Sequence, residues 1–365
     1  MNLNNNIEAD SLNELTIKSV QEILKNGIYQ QTRNGAARAL YDVNIRLSNP
    51  RARHLALKGR TNNIFATLGE IFWVMAGEDI IDPYLSFFIP RAKNYSDDGR
   101  KWYSSYGQRL WDYGQFNHIF SLFKDEGLFT RRATQSIFIP SSDVVGVYKT
   151  RTGGSVKDIA CNQWINYFVI PGENGENPKL CMKVGTRSND CIFGLSNINI
   201  PEFTIIMEFV YNQLKLMYPE SNLELGTYIQ SVTNLHLYDF TLAQGENIVK
   251  NLDENLKLTQ ESKNDNAESY FPNDVLNVRR FFKDIVENFS NMIKRKTNEI
   301  KKTEDIFNEY MVQTNNNLLF GYALLVEKYI SNSLGLYDIT QLPTNLPKGL
   351  RNSVKNSKFL NFNFE

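Results

Sequence analysis

Apolar positions follow two rhythms along this chain. Residues 11–26 carry Leu12, Leu15, Val20, Ile23 and Leu24 at helical spacing, with Gly27 as a stop, and predict an amphipathic helix. A stretch bearing Arg and Gly, 32–38, leads into a predicted strand at 39–47. Residues 62–76 return to the helical period through Ile64, Phe65, Leu68, Ile71, Phe72 and Met75, and Gly77 is the natural C-terminal cap. Between 137 and 200 the pattern shortens. Segments 135–140, 164–171, 179–186 and 191–195 predict strands divided by Gly/Pro/Asn turns, with GENGENP (172–178) as a hairpin loop. An apolar helix at 202–217 and a strand at 226–237 follow.

Beyond residue 250 the character changes. Residues 255–274 are polar with few aliphatics, as expected of a linker or exposed loop. Val275, Val278, Phe282, Ile285, Phe289 and Met292 then form one stripe of a long helix, and a second helix is predicted from about 303 to 332. We therefore divide the chain into an α+β body (1–250), a linker or exposed loop (251–272) and a helical extension (273–365). The stripe is read as core packing against the body. No internal repeat is visible.

Composition narrows the function classes. Hydrophobic residues make up 42% and aromatics 12%, enough for a large core. Forty Lys+Arg offset forty Asp+Glu, so the broad basic field of a nucleic-acid binder is missing and no direct nucleic-acid binding is expected. Three cysteines make no disulfide framework and suit a reducing compartment. The N-terminal segment lacks a signal-peptide pattern, and no apolar run nears the roughly 18 residues of a bilayer span. A cytoplasmic protein away from the membrane is the expectation.

Cys161 stands directly before the strand-like run NQWINYFVI. A small buried hydrophobe is the ordinary reading of a lone cysteine, and Cys181 and Cys191 take it. Around Cys161, in sequence order, lie Glu70 with Trp73, Tyr106, Arg131–Arg132, the RSND segment at 187–190, Asn197, Asn199 and His236 with Tyr238. Each has a bland reading. RSND can be a turn with a solvated arginine, Arg131–Arg132 a surface charge pair, Glu70 a helix-surface acid and His236 a hydrogen-bonded core histidine.

Taken together and in this order, they resemble the thymidylate synthase family, which includes nucleotide hydroxymethylases. The resemblance rests on Arg33, Glu70 with Trp73, Tyr106–Gly107, Arg131–Arg132, Cys161, Arg187-Ser188-Asn189-Asp190, Asn199-Ile200 and His236-Leu237-Tyr238, and covers about residues 28–245. It implies a thymidylate-synthase-like mixed sheet with packed helices, to which the C-terminal helical extension is added. It implies folate-dependent C5 methylation or hydroxymethylation of a pyrimidine nucleotide, dUMP or UMP, with 5,10-methylenetetrahydrofolate as cofactor and no metal. Cys161, Glu70 and Tyr106 would be catalytic. Arg33, Arg131, Arg132, Arg187 and Ser188 would hold the phosphate, Asn199 the base, and His236 and Tyr238 the sugar. Asp190 and Trp73 would face the folate. In the family the Arg-Arg pair reaches into the neighbouring subunit's site, which implies a homodimer with shared active sites.

The chemistry suits these residue types. C5 of uracil is a poor nucleophile until a thiolate adds at C6 and turns the ring into an enolate. A thiol with a pKa of about 8.5 needs a cation nearby to ionise, and Arg187 is the candidate. A carboxamide at 199 can donate to O4 and accept from N3–H, which fits uracil, whereas a carboxylate would suit cytosine. The Gly194-to-Asn199 interval is one residue longer than the family's, which makes Asn197 a rival.

Three departures stand out. Ile159-Ala160-Cys161-Asn162 lacks the family's histidine after the nucleophile, and Asn166 replaces a glutamine. The family's first tryptophan before Tyr-Gly has no counterpart, Arg91 lying nearest. They fall on the folate side and the proton relay, and looser packing there would favour water over hydride. A catalytically altered nucleotide-binding relative, acting as an assembly or regulatory protein, is the alternative reading. An unrelated cysteine hydrolase has no local signature.

Overall fold

The computed structural model describes residues 5–144, 157–173, 175–336 and 345–357. Its strands are β1 (Asn5–Ala9), β2 (Ile28–Thr32), β3 (Gly35–Leu47), β4 (Thr134–Ser136), β5 (Asn162–Ile170), β6 (Lys179–Thr186), β7 (Asn189–Asp190) and β8 (Glu224–Tyr238). They form one mixed sheet in the order β1-β3-β8-β6-β5-β4, with β2 beside β3 and β7 beside β8. β1 and β3 are parallel, as are β6 and β8, while β3–β8, β5–β6 and β4–β5 are antiparallel. The principal helices are α1 (Leu12–Asn26), α2 (Ile64–Ala76), α3 (Tyr106–Asp112), α4 (Gln115–Glu126), α5 (Ile200–Met217), α6 (Asp239–Lys250), α7 (Leu252–Ser262), α8 (Val275–Arg295), α9 (Thr303–Glu309), α10 (Leu318–Ser333) and α11 (Lys348–Asn356). The expected α+β architecture is present.

Helix α2 organises the interior. Asn63 caps its first turn by accepting from the Ala66 amide, and Gly77 ends it in the left-handed region at φ 69°. Every residue of the helix is buried except Glu70. A helix that is apolar all round needs cover on all sides, and the C-terminal helices supply part of it. Phe72 meets Phe282 of α8 at 5.8 Å between ring centroids, and Phe65 stacks on Tyr329 of α10 at 4.4 Å. Arg279 of α8 donates to the carbonyls of Ala76 and Gly77, satisfying the end of α2.

Several expectations change. Residues 28–47 are a β-hairpin, so the Arg/Gly stretch is its turn and not a separate loop. The strand expected at 135–140 ends at Ser136, since Pro140 opens a short helix, Pro140–Asp143. The segment 191–195 is no strand. Asp190 accepts from the Ile192 and Phe193 amides and starts a π-helical turn, Cys191–Asn199. The stretch 251–272 begins with α7, where the Asn255 side chain binds both the amide and the carbonyl of Lys58, so polar composition there reflects buried hydrogen bonding. The single helix expected from 303 to 332 is two, broken where Met311 and Asn316 take positive φ. Position 174 of the GENGENP loop and residues 337–344 and 358–365 of the extension lie outside the described residues.

Candidate active site

One cleft of about 1440 Å³ is lined by every candidate named above except Arg131 and Arg132. Cys161 stands one residue before β5, half-buried. Its carbonyl accepts from the Arg187 amide at 2.9 Å, while the Arg187 side chain reaches back to the carbonyls of Ala160 and Ile159 at 3.0 and 2.9 Å. One guanidinium thus clamps the segment that carries the thiol. Burial pushes the Cys161 thiol up, Arg187 and Arg33 pull it down, and Asp158 pushes it up again, leaving it above its ordinary value. Asp158 is itself buried and accepts from the Ser104 amide and hydroxyl. Arg33, in the β2–β3 turn, donates to the Lys157 carbonyl at 3.3 Å. Arg33, Lys157, Arg187 and Ser188 form the cationic end of the cleft.

Arg131 and Arg132 are exposed on the segment between α4 and β4, with Arg132 paired to Glu126 at 2.6 Å. The chain does not bring them to its own cleft, because that segment leads away to the edge strand β4.

The two rival asparagines differ in their partners. Asn197 Oδ1 accepts from Arg60 at 3.3 Å and its carbonyl accepts from the Thr67 hydroxyl. Asn199 is buried, lines the cleft and makes no side-chain bond to the described residues. The extra residue in the Gly194-to-Asn199 interval falls within the π-helical turn, whose wider loop accommodates it. His236 and Tyr238 alternate on β8 and point to the same face. The His236 Nδ1 pairs with Asn234 Oδ1 at 3.0 Å, its Nε2 has no partner, and burial lowers its pKa to about 4. The imidazole is therefore neutral near pH 7.

Glu70 reaches the cleft from α2, and burial raises its pKa to about 8. Tyr106 opens α3 with its ring 5.7 Å from Phe203. The Tyr-Gly pair has a steric origin, since a Cβ on Gly107 would collide with the Val74 carbonyl oxygen of α2. At the other end of the cleft, Trp73 donates to the Ile80 carbonyl and lies 6.3 Å from Trp102. Arg91 sits 4.4 Å over the Phe193 ring, where the missing tryptophan left a gap in the sequence pattern. Burial raises Asp190 to about 6 against its two amide bonds, Arg60 and Arg91.

The two sequence departures near the nucleophile differ in kind. Asn162 Oδ1 accepts from Thr186 and Gln230, tying β5 to β6 and β8 inside the sheet. Asn166 bonds Thr134 on the edge strand and does not line the cleft. Cleft-lining residues absent from the sequence reading are Arg60, Asp158 and Trp102.

No family model matches the sequence. Among solved structures, thymidylate synthase from T4 phage superposes with a TM-score of 0.47 at 18% identity, covering 64% of this chain and 79% of that one. The deoxyuridylate hydroxymethyltransferase of Bacillus phage SP01 is 27% identical over 241 residues, 62% of this chain and 56% of its own length. That of Delftia phage PhiW-14 is 31% identical over 345 residues, 88% of each chain, an extent that runs past residue 250 into the C-terminal helices. A likeness this long, over a chain that gathers Cys161, Arg187, Asn199 and His236 in one cleft, makes the protein a divergent member of the thymidylate synthase and pyrimidine nucleotide hydroxymethylase family.

Proposed function

We propose that the cleft carries out folate-dependent C5 hydroxymethylation of a uracil nucleotide, dUMP before UMP, through a covalent bond between Cys161 and C6. The observation that carries this reading is the shared cleft of a thiol, a cationic end and a carboxamide with no partner among the described residues. Arg187, Arg33 and Ser188 take the phosphate, for which planar guanidinium donors are well shaped. Asn199 reads O4 and N3–H. Neutral His236 offers its unpartnered Nε2 to the sugar, with Tyr238 beside it. Once the thiolate of Cys161 adds to C6, Glu70 handles the proton leaving C5.

The far end of the cleft fits a flat pterin, with Trp73 and Trp102 as an aromatic wall and Asp190 as an acceptor for an amide edge. Bound there, 5,10-methylenetetrahydrofolate supplies the one-carbon unit. The name of the PhiW-14 relative favours hydroxymethyl over methyl as the product, and Arg91 in place of a packed indole agrees with water entering. Arg131 and Arg132 would complete the phosphate cage of a second copy in a homodimer. Three unpaired thiols suit a reducing cytoplasm, and among the described residues no helix is long and apolar enough to cross a membrane.

The test is incubation with dUMP, UMP or dCMP plus methylenetetrahydrofolate, followed by mass spectrometry. A gain of CH2O supports the reading, a gain of CH2 makes the product methyl, and an unchanged nucleotide overturns it. A 5-fluoro-dUMP adduct on Cys161 that forms only with the folate excludes a binding-only role.

A further inference from the structure

Strand β8 presents Asn234, His236 and Tyr238 on one face, and their partners in register on β3 are Tyr41, Ala39 and Ala37. Gln30 of β2 stands opposite Ala37 on the same face. Two alanines leave little bulk between the outer strands, so the Gln30 side chain crosses β3 and reaches Asn234. The two carboxamides bond reciprocally, Asn234 Nδ2 donating to Gln30 Oε1 at 3.2 Å and Gln30 Nε2 to Asn234 Oδ1 at 3.4 Å. The Tyr41 hydroxyl donates to Gln30 Oε1 at 2.6 Å. Gln30, Asn234, His236 and Tyr238 all line the cleft.

This pair dictates how His236 can bind a ligand. With Gln30 held by Tyr41, Asn234 turns its oxygen toward the imidazole, 3.0 Å from Nδ1. An amide oxygen only accepts, so Nδ1 carries the ring proton. The ring is neutral near pH 7 and 4% exposed, and Nε2 is left as a buried lone pair without a partner. Leaving it so costs free energy that an O–H from the ligand recovers. Beside it, the Tyr238 hydroxyl accepts from Asn34 Nδ2 at 3.4 Å and keeps its own proton to donate. One acceptor next to one donor suits a hydroxyl, which gives one hydrogen bond and takes another. A phosphate ester oxygen or a bare carbon offers no proton to Nε2.

We propose that Gln30 and Asn234 are positioning residues that fix His236 as the Nδ1–H tautomer, so that the cleft recognises a free ligand hydroxyl by accepting a hydrogen bond from it. This rests on the function proposed above, in which that hydroxyl belongs to the nucleotide sugar. Neither amide ionises or reacts. They act through the imidazole, so their loss should change the tautomer and the affinity for a hydroxyl-bearing ligand together.

Asn234→Leu removes the acceptor at similar size, Gln30→Leu frees the Asn234 amide to turn, and Asn234→Asp keeps an acceptor. NMR of protein labelled at the histidine ring nitrogens reads the tautomer at pH 8, and the spectrum of His236→Gln identifies the signal. Calorimetry gives the affinities of dUMP and of its analogue without the 3′-hydroxyl, 2′,3′-dideoxyuridine 5′-monophosphate. The wild type should show Nδ1–H and bind dUMP about tenfold more tightly than the analogue. Both leucine variants should show mixed tautomers and lose most of that preference with analogue binding unchanged, and Asn234→Asp should keep it. An Nε2–H ring in the wild type, or an undiminished preference in the leucine variants, overturns the proposal. If the wild type binds neither nucleotide, the uracil reading falls, and the tautomers of the wild type and Gln30→Leu alone still judge the role of the pair.

Discussion

The Nε of Arg187 donates to the carbonyl oxygen of Ala160 at 3.0 Å, one residue ahead of the Cys161 thiol. The same guanidinium lowers the thiol pKa against the effect of burial. One side chain therefore acts on both the position and the ionisation of the nucleophile.

Replacing Arg187 with Gln should raise the Cys161 pKa, since a favourable charge is lost and burial remains. The midpoint of the pH dependence of iodoacetamide labelling should move to higher pH. Binding of dUMP should weaken about 10- to 100-fold for loss of a charge-assisted bond to phosphate. An unchanged labelling profile would show that Arg187 is only a clamp.

Asn199→Asp should turn preference from dUMP toward dCMP, because a carboxylate cannot donate to O4 but can accept from an amino group. The loss in kcat/KM for dUMP should be on the order of 10³-fold. Asn197→Asp should leave base preference alone, since that side chain is engaged with Arg60. Competition kinetics with the two nucleotides distinguish the positions.

Gly107→Ala should destabilise the fold by about 1–3 kcal/mol, the range for overpacking. The added methyl meets the Val74 carbonyl, which helix α2 cannot move without shifting Glu70 and Trp73. Urea unfolding should show the loss, and C5-hydrogen exchange should fall further than stability alone explains.

His236 makes stability depend on acid. Its pKa is about 4 when folded against an unfolded value near 6.5, so only the unfolded chain gains the proton between those limits. Stability therefore falls as pH drops through that window. Relative to His236→Asn, the wild type should lose about 1–2 kcal/mol between pH 7 and 5 in denaturant titrations. A constant difference between the two proteins would mean that the imidazole is not desolvated.

The order of chemically active residues, from Arg33 to Tyr238, could be read along the chain, and so could the long elements around them. Periodicity reports which face of a helix or strand is apolar, and the stripe of α8 and the runs of β5 and β6 declare theirs. Boundaries that depend on side-chain bonding to the backbone were hidden. Asp190 turned an apparent strand into a π-helical turn, and Asn255 made a polar stretch into a packed helix. Partner choice was hidden more deeply. Asn197 and Asn199 look equivalent until Arg60, 137 residues away, engages the first and leaves the second facing the cleft. Glu202 and Glu208 are equally acidic and equally apolar in context. Arginines folded in from residues 51 and 53 neutralise one, and the other is buried with no hydrogen-bond partner among the described residues. Local pattern sets which surfaces are buried, while long-range contacts set which buried polar groups are satisfied.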